Sequence, residues 1–273
     1  MARPHPRLRQ LIVAIGVALL TVLALGSASS NADTPDLAVR ARLPLVGCDS
    51  CKGNASFKPP VIDYSDPGKF LQPGPQSSLS AASIAVVEAE IAGPVTGLAG
   101  IGRVHSWMGS TFEHVNLGGA TIGQSTANGL IAGRQLGGCH DWALVMTAVL
   151  RHYGYPALMA DTAGLTWAAD YAAGRRQDFA GHVFAEIYVD GDWVLVDCTS
   201  GNYTADYDPA SQVIGYAGAG DPLGFFTLFK GLDPQSYGVT SGDVLRERME
   251  ELAAAYPRLT ISVPGYRWQQ LPH

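Results

Sequence analysis

The stretch from Gly181 to Thr199 constrains this chain more tightly than any other, because it dictates both a strand pairing and its register. It reads His182-Val-Phe-Ala-Glu-Ile-Tyr-Val189, then Asp190-Gly191, then Asp192-Trp-Val-Leu-Val-Asp-Cys198. Two runs rich in β-branched and aromatic residues around Asp-Gly make a two-residue hairpin, because the tight turn needs positive φ at both central positions. Val189 then faces Asp192, and counting outward sets Phe184 opposite Asp197 and His182 opposite Thr199. One face carries Val183, Ala185, Ile187, Val189, Val194, Val196 and Cys198, an ordinary core surface. The other carries His182, Phe184, Glu186 and Tyr188 with Trp193, Leu195, Asp197 and Thr199. On that face His182 and Asp197 are diagonal neighbours, within side-chain reach of about 7 Å or less. Taken alone, such a pair is accounted for by a hydrogen bond that tethers strand ends.

A second segment bears on that pair. Gly137-Gly138 precede Cys139, and Trp142, Val145, Met146, Val149, Leu150 and Tyr153 follow at the helical period. Gly154 ends the helix, with Pro156 just beyond. Cys139 is therefore in the first helical turn, where the positive end of the macrodipole and unpaired N–H groups favour a thiolate. A buried core thiol explains the helix alone equally well, since free cysteine is among the most buried residue types. The combination goes further. A helix-start thiol, an imidazole opening a strand and a carboxylate ending the next supply a nucleophile, its base and the group that orients the base.

These residues resemble the transglutaminase-like superfamily of papain-fold thiol enzymes. The resemblance rests on Gly-Gly-Cys139-His-Asp-Trp-Ala143, on Leu150-Arg-His-Tyr-Gly-Tyr-Pro-Ala157, on His182 with Glu186 four residues on, and on Asp-Gly-Asp-Trp193 with Val196-Asp197-Cys-Thr199. It is strong from Arg134 to Gly201 and extends weakly upstream to Gly102-Arg-Val-His-Ser-Trp107. It implies an α+β fold of the papain-like, transglutaminase-like type, with the nucleophile helix packed on an antiparallel sheet. It also implies Cys139 as nucleophile, His182 as acid–base and Asp197 as the orienting carboxylate. Two features depart from the family pattern: Cys198 stands where proline commonly follows the Asp, and the spacer from Ala157 to His182 has no acceptor-site signature. The strand parity turns Cys198 to the Val/Ile face, which makes it a buried thiol and argues against a Cys139–Cys198 disulfide.

For the oxyanion hole the Cys139 N–H is a natural donor, with the Gln135 side chain as a candidate for the second. Gln135 also fits a solvated turn residue. Trp107 and Trp142 fit apolar helical stripes, and His105, His114, His140 and His152 receive no role.

The N-terminus points to export. Arg3, Arg7 and Arg9 precede an almost wholly apolar Leu11–Leu25 run, and Ser30-Asn31-Ala32 offers small residues for cleavage, so residues 1–32 read as a signal peptide. The apolar run is shorter than the roughly 18 residues of a spanning helix. Leu45-Val-Gly-Cys48 mimics a lipoprotein box, but the polar stretch Ser27–Arg42 separates it from the apolar core. In an oxidising compartment Cys48-Asp-Ser-Cys51 is a disulfide candidate. A redox or zinc role for it lacks a strand–helix setting or a second ligand pair.

Residues 33–79 form a Pro/Gly-rich extension, with Lys58-Pro-Pro60 and Gln72-Pro-Gly-Pro75 marking extended, wrapping chain. Residues 80–273 are the expected transglutaminase-like domain. Within it, Ala81–Ile91 and Gly242–Tyr256 read as helices and Leu259–Val263 as a final strand. A net charge of −6 with no basic run beyond the signal segment argues against a nucleic-acid partner. Asp206, Asp208 and Asp221 lack calcium-loop spacing and fit solvated loop acids. The expected activity is attack of Cys139 on an amide or peptide carbonyl in a secreted or periplasmic setting. The substrate would be a protein, peptide or cell-wall peptide, no cofactor or metal is required, and the membrane is met only during export. Hydrolysis and acyl transfer to an amine both remain open, and a non-catalytic peptide-binding or surface-assembly module is the alternative.

Overall fold

The computed structural model describes residues 57–117 and 119–272; the export segment, Cys48 and Cys51 lie outside the described residues. The helices are α1 (Ala81–Glu90), α2 (Gly97–Thr111), α3 (Ala127–Gly133), α4 (Cys139–His152), α5 (Leu165–Ala172) and α6 (Gly242–Ala255). A short parallel pair, β1 (Glu113–His114) and β2 (Gln135–Leu136), stands apart from the main sheet. That sheet comprises β3 (Ala157–Gly164), β4 (Gly181–Val189), β5 (Asp192–Asp197), β6 (Asn202–Thr204), β7 (Val213–Ile214), β8 (Phe225–Gly231) and β9 (Gln269–Gln270). Its order is β7-β8-β3-β4-β5-β6-β9, and every pairing is antiparallel. The fold is thus α+β, with α4 against an antiparallel sheet.

The β4–β5 hairpin has the expected register, from Val189↔Asp192 to Ala185↔Val196. Asp190 at φ 54° and Gly191 at φ 97° supply the two positive dihedrals of the turn. The face bearing Val183, Ala185, Ile187, Val194, Val196 and Cys198 meets α4 in one buried cluster. The opposite face is covered as well: Phe184, Leu195, Ile214, Tyr216 and Phe225 pack together, with Tyr266 and Trp268 laid over them.

Helix α4 is buried on every side from Asp141 to Arg151, not only along its apolar stripe. Its outer flank is closed by Ile101, Val104 and Met108 of α2 and Ile131 of α3. Its polar residues are correspondingly satisfied. Thr147 donates to Ala143 O at 2.8 Å, and the Arg151 guanidinium donates to Ala157 O, Leu232 O and Ser77 Oγ. Gly154, at φ 88°, ends the helix as expected. The Pro-rich stretch ahead of α1 lies along β3 and β5, where Ile62, Tyr64 and Phe70 pack on Leu158 and Trp193.

Two elements differ from the sequence expectation. Residues 259–263 form no strand: Leu259 and Ile261 pack on the α5–α6 cluster, and Pro264 has no N–H with which to continue a ladder. The sheet edge is instead closed by β9 on β6. Asp221 is no solvated loop acid but a buried cap, accepting from the N–H groups of Thr166, Leu223 and Gly224.

Candidate active site

The thiol is set by its own helix start. Gly138 is the N-cap of α4 with φ 154°, a conformation open to glycine, and Gly137 N–H donates to Asp141 Oδ2 at 2.7 Å. Asp141 thus ties the glycine pair to the first turn that carries Cys139. Cys139 is a half-buried residue packed against the core, and its N–H belongs to the turn that has no carbonyl partner within the helix.

His182 reaches the thiol from the start of β4. The glycine before it is required, since a Cβ on Gly181 would sit 2.2 Å from Thr162 O of the neighbouring strand. His182 Nε2 lies 2.8 Å from Asp197 Oδ1, and both side chains are buried. The imidazole is wedged edge-on against Phe184, with ring centroids 4.9 Å apart. With Nε2 engaged by the carboxylate, Nδ1 is the nitrogen left to serve the thiol.

Asp197 is held in turn by a ring of donors. Thr199 N–H and Oγ1 donate to Oδ1 at 3.0 and 2.7 Å, while Ser200 Oγ and Tyr216 OH donate to Oδ2 at 2.8 and 2.9 Å. Burial would raise its pKa, but His182 and these hydroxyls hold the carboxyl below the usual carboxylate range. For His182 burial favours the neutral ring, yet Asp197 and the thiolate push it up to about 9. Burial likewise opposes ionisation of Cys139, and hydrogen bonds from His140 and His182 outweigh it, lowering the thiol to about 6. Thiolate and imidazolium therefore coexist across neutral pH.

The structure brings Cys139, His182 and Asp197 together and turns Cys198 away. Cys198 is fully buried, its pKa is pushed well above the usual thiol value by burial, and neither it nor Cys139 is in a disulfide. Gln135 is placed differently from the oxyanion candidate expected of it. It is exposed on β2, and because β2 pairs with β1 at Glu113, its amide donates to the Glu113 carboxylate at 2.9 Å. Trp107 and Trp142 are core residues, bonded through their indole N–H groups to Glu90 and His114.

One residue given no role in the sequence belongs here. His140 touches the thiol and lies 2.5 Å from Asp161 Oδ1, and Tyr237 OH donates to Asp161 Oδ2. The visible signal was Asp161 itself, a carboxylate in the otherwise uncharged strand Ala157-Leu-Met-Ala-Asp-Thr-Ala-Gly164. Among the described residues no group of three or more His, Cys, Asp or Glu is disposed to hold a metal ion.

Residues 86–198 match the family described as the transglutaminase-like superfamily, a span that contains Cys139, His140, Asp161, His182 and Asp197. No curated protein matches the chain. A solved structure of a candidate cysteine protease from Cytophaga hutchinsonii is similar at 18% identity and a TM-score of 0.43, over 63% of this chain and 48% of that one. The chain thus spans about half the length of that protein.

Proposed function

We propose that this chain, whose residues 86–198 match the transglutaminase-like superfamily, is a cysteine-dependent enzyme that acts outside the cytoplasm on amide or peptide bonds through an acyl-enzyme on Cys139. The observation that carries the reading is the buried 2.8 Å His182–Asp197 pair set beside a thiol at a helix N-terminus. The Cys139 thiolate attacks the carbonyl carbon, and a C–S bond forms as the C=O pair moves onto oxygen. The Cys139 N–H is positioned to meet that charge. As the tetrahedral species collapses, the C–N bond breaks and the departing nitrogen takes the proton of the His182 imidazolium. Water or an amine then gives its proton to neutral His182 as it attacks the thioester, and the sulfur leaves as thiolate. Asp197 keeps the imidazole oriented throughout and stabilises its charged form before the first transfer and after the second.

Export rests on the basic, apolar and small-residue segments of residues 1–32, and an extracytoplasmic site makes a protein, peptide or cell-wall peptide the expected substrate. The productive ionisation exists above the thiol value of about 6 and is lost as His182 deprotonates through about 9. kcat/KM should therefore follow a bell with limbs near those values, rising through the first and falling through the second.

Intact-mass analysis of acid-quenched mixtures with peptide carboxamides and cell-wall peptides tests the proposal. An acyl adduct should map to Cys139 and be absent from Cys139→Ala. A labelled primary amine added to the same mixture separates the two outcomes, free acid marking hydrolysis and labelled amide marking transfer. Peptides that bind reversibly and never give an adduct would make the chain a binding module.

A further inference from the structure

His140 takes no part in the steps above, yet it lies in the same site as His182. As the second residue of α4 it shares the first turn with Cys139 and contacts the sulfur. Its Nε2 is 2.5 Å from Asp161 Oδ1, which leaves Nδ1 as the nitrogen toward the thiol. Asp161 is 1% exposed, lies in a strand buried throughout, and is closed from the far side by the Tyr237 hydroxyl. Three elements thus meet at the His140–Asp161 pair: α4, β3 and the 3-10 turn Pro234–Tyr237, whose Tyr237 hydroxyl bonds Asp161. The pairing of β3 with β8 also slips here, because Asp161 faces Phe229 while Thr162 faces Thr227, so that Leu228 is the extra residue. Such a bulge re-aims side chains beside it, and bulges gather next to active sites.

A buried carboxylate needs a counter-charge, and a structural ion pair would account for that much. It would not account for the placement. The pair sits against the sulfur on which the reaction turns, and a second imidazole–carboxylate pair already lies next to that sulfur.

We propose that His140, held as an imidazolium by Asp161, which Tyr237 fixes in place, is a positioning residue that keeps negative charge on the Cys139 sulfur independently of His182. The proposal rests on the thiol-enzyme reading and assigns the two imidazoles different tasks. His182 moves the proton; His140 neither gives nor takes one. When His182 has passed its proton to the leaving nitrogen, His140 is still charged, and when the thioester breaks the departing sulfur meets two cations.

The groups around His140 are consistent with that fixed charge. They are Cys139 from α4, Asp161 from β3 and Tyr237 from the 3-10 turn, with Asp233 behind Tyr237 and His182 of β4 also in contact with the thiol. The neighbouring Asp141 is occupied by Gly137 N–H. Burial favours a neutral ring, but the Asp161 carboxylate 2.5 Å away, with the thiolate, pushes His140 up to about 10.

The test is site-resolved alkylation of Cys139 by iodoacetamide from pH 4.5 to pH 10, which needs no substrate. In His140→Gln the midpoint for thiolate formation should rise by about one unit or more, so that the rate at pH 6 drops at least about fivefold and recovers above pH 9. Asp161→Asn, which removes charge and keeps shape, should move the midpoint the same way, and it carries the test if His140→Gln does not fold. His182→Gln should lose turnover yet keep a thiol that titrates below a free cysteine; only His140→Gln/His182→Gln should return it to the free value. A wild-type midpoint retained in both His140→Gln and Asp161→Asn, with His182→Gln alone restoring the free value, overturns the proposal. If the wild-type thiol itself titrates as a free cysteine, the thiol-enzyme reading fails first.

Discussion

His182→Gln is expected to lower kcat/KM on an acyl substrate by about 10⁴-fold, and Cys139→Ala by at least as much. The double variant should be no worse than either single one, because the two side chains act as one unit: without a proton carrier the thiolate has no leaving-group acid, and without the thiolate the acid has nothing to assist. Additive losses would mean that they serve separate steps. Glutamine leaves the surroundings of His182 little altered, since the ring packs edge-on to Phe184 and its Nε2 meets Asp197 at 2.8 Å, a contact an amide nitrogen can imitate. Steady-state kinetics, with melting temperature as a check on folding, decide the matter.

The second large effect concerns Asp197. Asp197→Ala removes the acceptor for His182, Thr199, Ser200 and Tyr216 at once. It should lower kcat about 10³-fold and cost about 3 kcal/mol of stability, because buried donors are left without partners. Asp197→Asn should be milder. Its amide oxygen can stay where Thr199 N–H donates, and its NH₂ can turn toward the Ser200 and Tyr216 hydroxyls, which are able to accept. Orientation then survives while the charge is lost. The descending limb of the pH profile should move below the His182 value of about 9, with kcat reduced about tenfold. An asparagine variant as inactive as the alanine variant, with an unmoved limb, would mean that Asp197 does something other than orient and charge the imidazole.

Cys139, His182 and Asp197 were legible because their placement depends on local signals. An Asp-Gly turn sets the parity of both strands, and a glycine pair before a periodic run sets the helix start. The same parity sent Cys198 to the buried face. His140 was not legible, because its partner Asp161 and the Tyr237 that fixes Asp161 come from two other elements: those two stand 76 residues apart, and Asp161 is aimed beside a slip in the β3–β8 register that no local pattern announces. The donors around Asp197 divide in the same way. Thr199 and Ser200 follow it directly, whereas Tyr216 arrives through the chain that covers the second sheet face. Gln135 shows the converse. It is near Cys139 in sequence, but β2 pairs with β1 and spends its amide on Glu113. Helix α4 read as one apolar stripe, and the burial of Thr147 and Arg151 depends on α2, α3 and Leu232 closing over its other side.

The central claim is that Cys139 is a thiolate at neutral pH because of the imidazoles beside it. Iodoacetamide alkylation of the native wild-type protein across pH, read by peptide mapping, tests it with Cys198 as an internal control. Cys139 should show a rate plateau reached through a midpoint of about 6, while Cys198, fully buried and with its pKa raised, should react only after denaturation. A Cys139 midpoint near that of an ordinary thiol, about 8.5, or a Cys198 that reacts as fast in the native protein, would contradict the account.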